Sequence, residues 1–369
     1  MIQFYFPKSV SPARLDKLLA SGWFRDSTML YRAKMIFIES DLFSIVNIRL
    51  KLAEHTFKKN HRKLLSKNAK RFRVEIGKLE WITAEKNKLY YEHKAKFKGF
   101  IHRNLQQYLM ADSGINLFDT YEVCVYDQDR LVALSFFDFG KNSVASLLGL
   151  YSADYEQFSL GTYTMLLEIQ FAIHSEKKYY YPGYVLDRAS DFDYKLKLGD
   201  FYFYDWKRTW KKIKLFKAEE MLVFEYKECL KKITQLLDCK QIKYSQQTYT
   251  MFGSGYLTKK PPLLKGVVHL LLFDISDEET YFFVLEYFDE SKEYVLALAT
   301  LHSKYESFLS MEISSEYLEE EEPNTVFDLW RYKKIILSSE SVAEMVEKIT
   351  EIHEYLSKNG YKKTVTKSF

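Results

Sequence analysis

Cysteine is scarce in this 369-residue chain, present only at Cys124, Cys229 and Cys239. None stands in a C-x-x-C pair or beside a histidine cluster. That excludes a zinc finger, an iron–sulfur motif of the usual spacing and a disulfide framework, and it suits a reducing cytosol. No apolar run reaches the ~18–20 residues of a membrane span. The opening Met-Ile-Gln-Phe-Tyr-Phe-Pro lacks the basic-then-apolar layout of a secretory leader. There is no G-x-S-x-G elbow, no cysteine beside a base and no H-E-x-x-H box, and the eight histidines are scattered. These absences predict a soluble cytoplasmic protein that uses no metal and no other cofactor, and they leave its catalytic residues unknown.

What is present begins with size and charge. With 47% hydrophobic and 28% charged residues, the chain can build two or three compact units. Its net charge of +4 is unevenly spread. Residues 1–110 hold 23 Lys and Arg against 9 acids, residues 111–215 hold 12 against 15, and residues 216–369 hold 19 against 26. A basic first third on a near-neutral chain points to a local polyanion surface, since net charge speaks to partners and not to fold. Its densest part runs from Lys58 to Arg73, with eight Lys and Arg and no acid. In a helix Lys59, Arg62, Lys63, Lys67 and Lys70 share one face, with Leu64 and Leu65 toward the other. Such clustering is what phosphate neutralisation needs, and the plain alternative is a solvated face. The 29 Tyr and 28 Phe could stack on bases, but filling strands is the simpler reading.

Local patterning predicts a helix after the Ser11 cap, ended by Gly22, and strands at Leu30–Arg32 and Ile45–Leu50. Thr83 to Asp112 reads as one helical stretch. The middle is clearest: strands at Glu122–Tyr126, Leu131–Phe137 and Ser143–Tyr151 are separated by turns. A helix follows, with Leu166, Ile169 and Ile173 on one face, then an aromatic strand Tyr179–Val185 and another at Phe201–Trp206. Beyond it come a helix at Ala218–Leu237, the punctuation Lys259-Lys260-Pro261-Pro262, three strands between Val267 and Thr300, an acidic run Glu319–Glu322, and a last helix at Ser341–Leu356. The expected architecture is α+β: a mixed sheet with flanking helices in the pattern of a Gcn5-related N-acyltransferase (GNAT), plus a separate α+β C-terminal domain. The expected boundaries are 1–110 for a basic region, 111–215 for the core and 216–369 for an extension of unassigned role.

At the helix entry Ser159-Leu160-Gly161-Thr162-Tyr163, Ser159 or Thr162 can cap the helix. Gly161 lets backbone N–H groups approach a ligand oxygen closely. Coenzyme A-dependent members of the fold usually carry several glycines there, and this chain has one.

The set Leu131-Val132-Ala133, Asp138, Tyr151, Ser159-Leu160-Gly161-Thr162-Tyr163, Ile169, Ala172, Tyr180-Tyr181, Gly183-Tyr184 and Tyr194-Lys195 resembles the aminoacyl-tRNA–protein transferases. These are the arginyl-transferases and bacterial leucyl-transferases of the N-degron pathway. Upstream, Leu30-Tyr31-Arg32 and the stretch from Arg62-Lys63 to Lys67-Asn68 are similar to further family segments. The resemblance covers about residues 12–212. It implies transfer of an arginyl or leucyl group from tRNA to a protein N-terminus by direct aminolysis of the ester, so the partners are aminoacyl-tRNA and an acceptor protein. It implies that Lys59, Arg62, Lys63, Lys67 and Lys70 contact tRNA and that Ser159, Gly161, Thr162 and Tyr163 face the aminoacyl or adenosine end. Asp138, Tyr184, Tyr194 and Lys195 would line the acceptor channel. The chain departs from the family in lacking a cysteine cluster after Leu-Tyr-Arg, and in carrying Asp191 and Asp193 where two cations are expected. The alternatives are an acyl-coenzyme A N-acyltransferase and a non-catalytic RNA- or partner-binding derivative.

Overall fold

The computed structural model describes residues 2–38, 41–95, 100–257, 260–274, 281–303, 312–313, 325–326 and 328–359. Apolar alternation over residues 120–151 resolves into three adjacent antiparallel strands, Thr120–Asp127, Arg130–Phe139 and Ser143–Tyr151. A shift of register between Ser146 and Leu148 bulges the third strand against the second. Helix Leu160–His174 then crosses over to Tyr179–Tyr181, which pairs parallel with Ser143–Ala145.

The expected strand Tyr179–Val185 is in fact two, Tyr179–Tyr181 and Tyr184–Leu186. Pro182 has no N–H to give a ladder, and Gly183 takes a φ of 93°, open to glycine at little strain. The second piece leaves the Ser143–Tyr151 strand and pairs with Ile45–Asn47 of the long strand Asp41–Lys51. Among the described residues, positions 146–151 therefore keep a ladder partner on one side only. The sheet is split there, and the split positions the site.

The main sheet runs Trp210–Lys212, Tyr202–Tyr204, Asp41–Lys51, Tyr179–Tyr181, Ser143–Tyr151, Arg130–Phe139, Thr120–Asp127 and Arg73–Lys78. Its two faces carry different cores, because side chains alternate along each strand. On one face Val46, Ile48, Leu50, Phe137, Val144 and Tyr180 pack on Leu160–His174 through Leu160, Tyr163, Leu166 and Ile169. On the other, Ala145 and Tyr181 pack on helix Pro12–Ala20 through Leu15, Leu18 and Leu19. Ser11 caps that helix as expected, its hydroxyl accepting from Arg14 N–H. Ile173 departs from expectation: it is exposed, in the last turn of its helix.

The stretch 83–112 is not one helix. Thr83 caps Ala84–Lys94 and Asn104 caps a second helix, Leu105–Met110, with a short strand Phe100–Ile101 between them. Each cap supplies a local stop and start that an apolar count alone passes over.

Residues 245–339 contribute a six-stranded sheet in the order Thr325–Val326, Ser245–Tyr249, Val268–Asp274, Tyr281–Phe288, Glu293–Ser303, Leu329–Ser339. Helices Leu222–Cys239 and Val342–Lys358 pack on it. That core also takes in Met35 and Leu42, from the hairpin of Met35–Ile38 with Asp41–Lys51. Lys34 pairs with Asp289 at 2.9 Å, and Val223 N–H donates to the Ser44 hydroxyl at 3.0 Å. The acidic run and Lys259 lie outside the described residues. The fold is thus mixed α+β with several sheets, and no described helix is long and apolar enough to cross a membrane.

Candidate active site

A cavity of about 710 Å³ passes through the split. At one end it is walled by the start of helix Leu160–His174. At the other it is walled by helix Pro12–Ala20 and strands Phe24–Asp26 and Met29–Ala33. Ser159, Gly161, Thr162, Asp138, Tyr184, Tyr194 and Lys195 all line it, so residues from four separate stretches of sequence meet here. Tyr163 does not: its ring is in the core beneath the helix, and only its backbone belongs to the helix entry.

Ser159 does not cap the helix with its hydroxyl. A side-chain cap needs extended backbone, and Ser159 is left-handed at φ 50° and ψ 47°. Thr162 is not the cap either, since the helix already begins at Leu160. The loop is instead fixed from outside, by Asn68, whose amide donates to the Phe158 carbonyl at 2.9 Å. A Cβ on Gly161 would come 3.4 Å from the Tyr151 ring, an ordinary van der Waals contact. Ser159 gives this 15-residue helix no side-chain cap, and the first residues of the helix line the cavity, where a helix N-terminus favours an anionic oxygen.

Glu168 is the carboxyl at this end. It is fully buried, and the Tyr180 hydroxyl donates to its Oε2 at 2.7 Å. Burial raises its pKa to about 7, against the pull of the Ser135, Tyr180 and Ser146 hydroxyls. Lys195 is buried too, its Nζ donating to the Tyr184 carbonyl at 3.0 Å and lying 4.8 Å from the Phe192 ring centre. Burial lowers its pKa to about 8, and among the described residues no carboxylate pairs with it.

At the opposite end Asp138 accepts from Arg25 at 2.6 Å and from the Thr120 hydroxyl at 2.7 Å, both on Oδ1. Among the described residues its Oδ2 has no partner. Burial raises the Asp138 carboxyl and lowers the Arg25 guanidinium, each offset in part by the other. Arg25 is held by Ser27 O at 2.8 Å, by Leu109 O and by the Phe118 ring at 4.1 Å.

Lys59, Arg62, Lys63, Lys67 and Lys70 are all exposed along helix Lys59–Ala69, with Lys70 just past its end. Its buried side holds His61 and Asn68. His61 meets the Lys197 carbonyl at 3.0 Å. The basic surface therefore backs onto both the Ser159 loop and the segment that carries Lys195. Asp191 is exposed and Asp193 closes a capping box with Ser190, and neither lines the cavity.

Sequence reasoning missed Glu168 and Arg25. Glu168 did leave a signal: it is the one charged residue between Leu160 and Ile173, inside an apolar helix. Arg25 left none, because apart from Ser27 O its hydrogen-bond partners lie 84 to 113 residues away.

Residues 79–205, which supply most of this cavity, match the family described as arginine-tRNA-protein transferase, C terminus. Over this segment the chain is similar to the aminoacyl-tRNA–protein transferases. It is 27% identical over 201 residues to an aspartate/glutamate leucyltransferase of Leptospira interrogans, covering 53% of this chain and 76% of that protein. It is 24% identical over 198 residues to one of Campylobacter jejuni, covering 53% and 81%. Among solved structures, FemX aligns with a TM-score of 0.34 at 10% identity, over 50% of this chain and 64% of FemX. A GCN5-related glucosamine N-acetyltransferase region of a fungal enzyme aligns at 0.27 and 11%, over 43% of this chain and 20% of the other. This chain spans less than two thirds of either structure, and likeness at those scores carries no argument.

Proposed function

We propose that this protein moves an arginyl or leucyl group from tRNA to the N-terminal amine of an acceptor protein, on a GNAT-like core. The observation that carries the reading is a cavity through the sheet lined by a buried carboxyl of pKa about 7 and by a buried ammonium with no carboxylate partner among the described residues, in the segment matched by the family. The acceptor amine attacks the ester carbonyl, a C–N bond forms, and the C–O bond to the ribose breaks. The nitrogen sheds a proton to Glu168, and the departing ribose oxygen takes one from Lys195. Both groups titrate close to neutrality, where proton transfer in either direction is easiest. Holding amine and ester in contact supplies the remaining advantage.

In this reading Lys59, Arg62, Lys63, Lys67 and Lys70 hold tRNA phosphates, and the Ser159–Tyr163 backbone receives the aminoacyl end. The donor thus enters from the face that carries helix Leu160–His174. The acceptor enters from the opposite face, where the Oδ2 of Asp138 suits the ammonium as it enters and before it moves on to the ester, and Tyr184, Tyr194 and Lys195 line the passage. Residues 216–369 form an additional α+β unit.

The test is transfer of labelled arginine or leucine from charged tRNA to peptides with defined N-termini. No transfer from any charged tRNA overturns the reading. Reversing two exposed cations, Lys63→Glu with Lys67→Glu, lowers tRNA affinity roughly tenfold and flattens the log–log salt dependence by about 2, as expected for two lost phosphate contacts. Unchanged salt dependence in a filter-binding titration counts against this surface.

A further inference from the structure

On the acceptor side of the sheet lies a second concavity, of about 310 Å³, that the transfer chemistry does not use. It backs onto the active cavity across one thin wall. In helix Pro12–Ala20, Leu15 and Leu19 face the active cavity, whereas Arg14, Lys17 and Leu18 face the second one. The small sheet behind repeats the alternation: Phe24 and Tyr31 face one way, Trp23 and Arg32 the other.

Arg14, Lys17, Arg32 and Arg208 converge on it, and no acidic residue lines it. Among the described residues none of the four is ion-paired. The carboxylates that could neutralise them are engaged elsewhere. Asp16 accepts from the Ser143 hydroxyl at 2.5 Å and from Asn142 N–H at 2.8 Å. Asp26 meets His102 at 2.7 Å, and Asp205 is held by the Thr209 hydroxyl at 2.5 Å and by Lys211 at 3.1 Å. Arg32 is braced over Trp23 at 5.3 Å and donates to the Ser21 carbonyl at 3.2 Å, which presets its guanidinium. Four uncompensated cations around one hollow repel each other, so an anionic ligand there gains from each of them.

We propose that this pocket receives acidic side chains of the acceptor polypeptide, a few residues beyond its N-terminus. The inference rests on the transferase reading for the identity of the acceptor. Three observations favour a polypeptide over RNA. The pocket lies on the opposite face of the sheet from the basic helix, Tyr204 is buried, and Arg32 already lies over Trp23, which leaves little aromatic surface for a base. An extended chain advances ~3.3 Å per residue, so three to five residues span the width of a helix and reach from the active cavity to the pocket. Guanidinium groups also match carboxylates in paired geometry, which suits three Arg of the four cations.

The experiment is a binding titration on the full chain with two probes. One is a fluorescent twelve-residue peptide carrying Asp or Glu at positions 4 to 7, read against its Asn/Gln counterpart, and the other is uncharged tRNA. Arg14→Glu with Arg208→Glu, both exposed positions, is expected to weaken the acidic peptide roughly tenfold and erase its advantage over the neutral one. tRNA affinity should stay within about twofold, whereas Lys63→Glu with Lys67→Glu should do the reverse. Equal loss of tRNA and peptide in the Arg14/Arg208 variant overturns the proposal in favour of a nucleic-acid surface, and no loss of peptide overturns it outright. A wild-type protein that binds the peptide through this pocket but never binds tRNA would sink the transferase reading instead.

Discussion

Glu168→Gln is expected to lower transfer by about 10²–10⁴-fold at neutral pH, the usual contribution of a positioned general base. The amide keeps the shape and still accepts from Tyr180, so the fold survives while the proton acceptor is gone. The pH profile separates this from a merely structural effect. Wild-type transfer should rise through about 7 as the carboxyl ionises and fall above about 8 as Lys195 loses its proton. The Gln variant should lose the acid limb and keep the alkaline one. Stability should move the opposite way to activity. A carboxyl raised from 4.5 to about 7 by folding favours the folded state below pH 4.5, and that advantage is lost as pH rises through 7. The difference corresponds to roughly 3 kcal/mol. The variant should therefore gain in Tm relative to wild type between pH 4.5 and 8. An active Gln variant with an intact acid limb would remove Glu168 from the chemistry.

That residue also marks how far the sequence could be read. Ser143–Tyr151 was legible to the residue, because alternation and flanking turns act within a few positions. The helix after Ser159 and its basic neighbour were legible for the same reason. What stayed hidden depends on distance in sequence. Leu329–Ser339 becomes a strand by pairing with Glu293–Ser303, and nothing in its mixed Trp-Arg-Tyr-Lys-Lys run announces this. The break at Pro182-Gly183 was visible as two residues, yet its consequence, a sheet opened for a cavity, needs Ile45–Asn47 to capture the second half. The motif residues of the site were found through their resemblance to a family. Their division into two ends, Glu168 and Ser159 on one face and Asp138 with Arg25 on the other, follows from side-chain alternation across a sheet whose order no local pattern encodes.

Arg25→Met is expected to cost about 3–5 kcal/mol, because it leaves the Asp138 carboxylate buried without its counter-charge. Both side chains are almost wholly buried, at 3% and 1% exposure, so bulk water screens the remaining charge little. The double variant Arg25→Met with Asp138→Leu should recover most of that loss, since removing both charges removes both desolvation penalties. A chemical-denaturation cycle over the four proteins measures the coupling, and additive single effects would contradict a paired charge. The activity of the set carries the functional half of the argument. The unpartnered Oδ2 of Asp138 should receive the acceptor ammonium, whereas Oδ1 is committed to Arg25 and Thr120. Asp138→Asn should therefore raise KM for the acceptor while leaving tRNA affinity unchanged, and the well-folded double variant should remain inactive. If the double variant regained transfer along with stability, Asp138 would be a scaffold charge that merely happens to border the cavity.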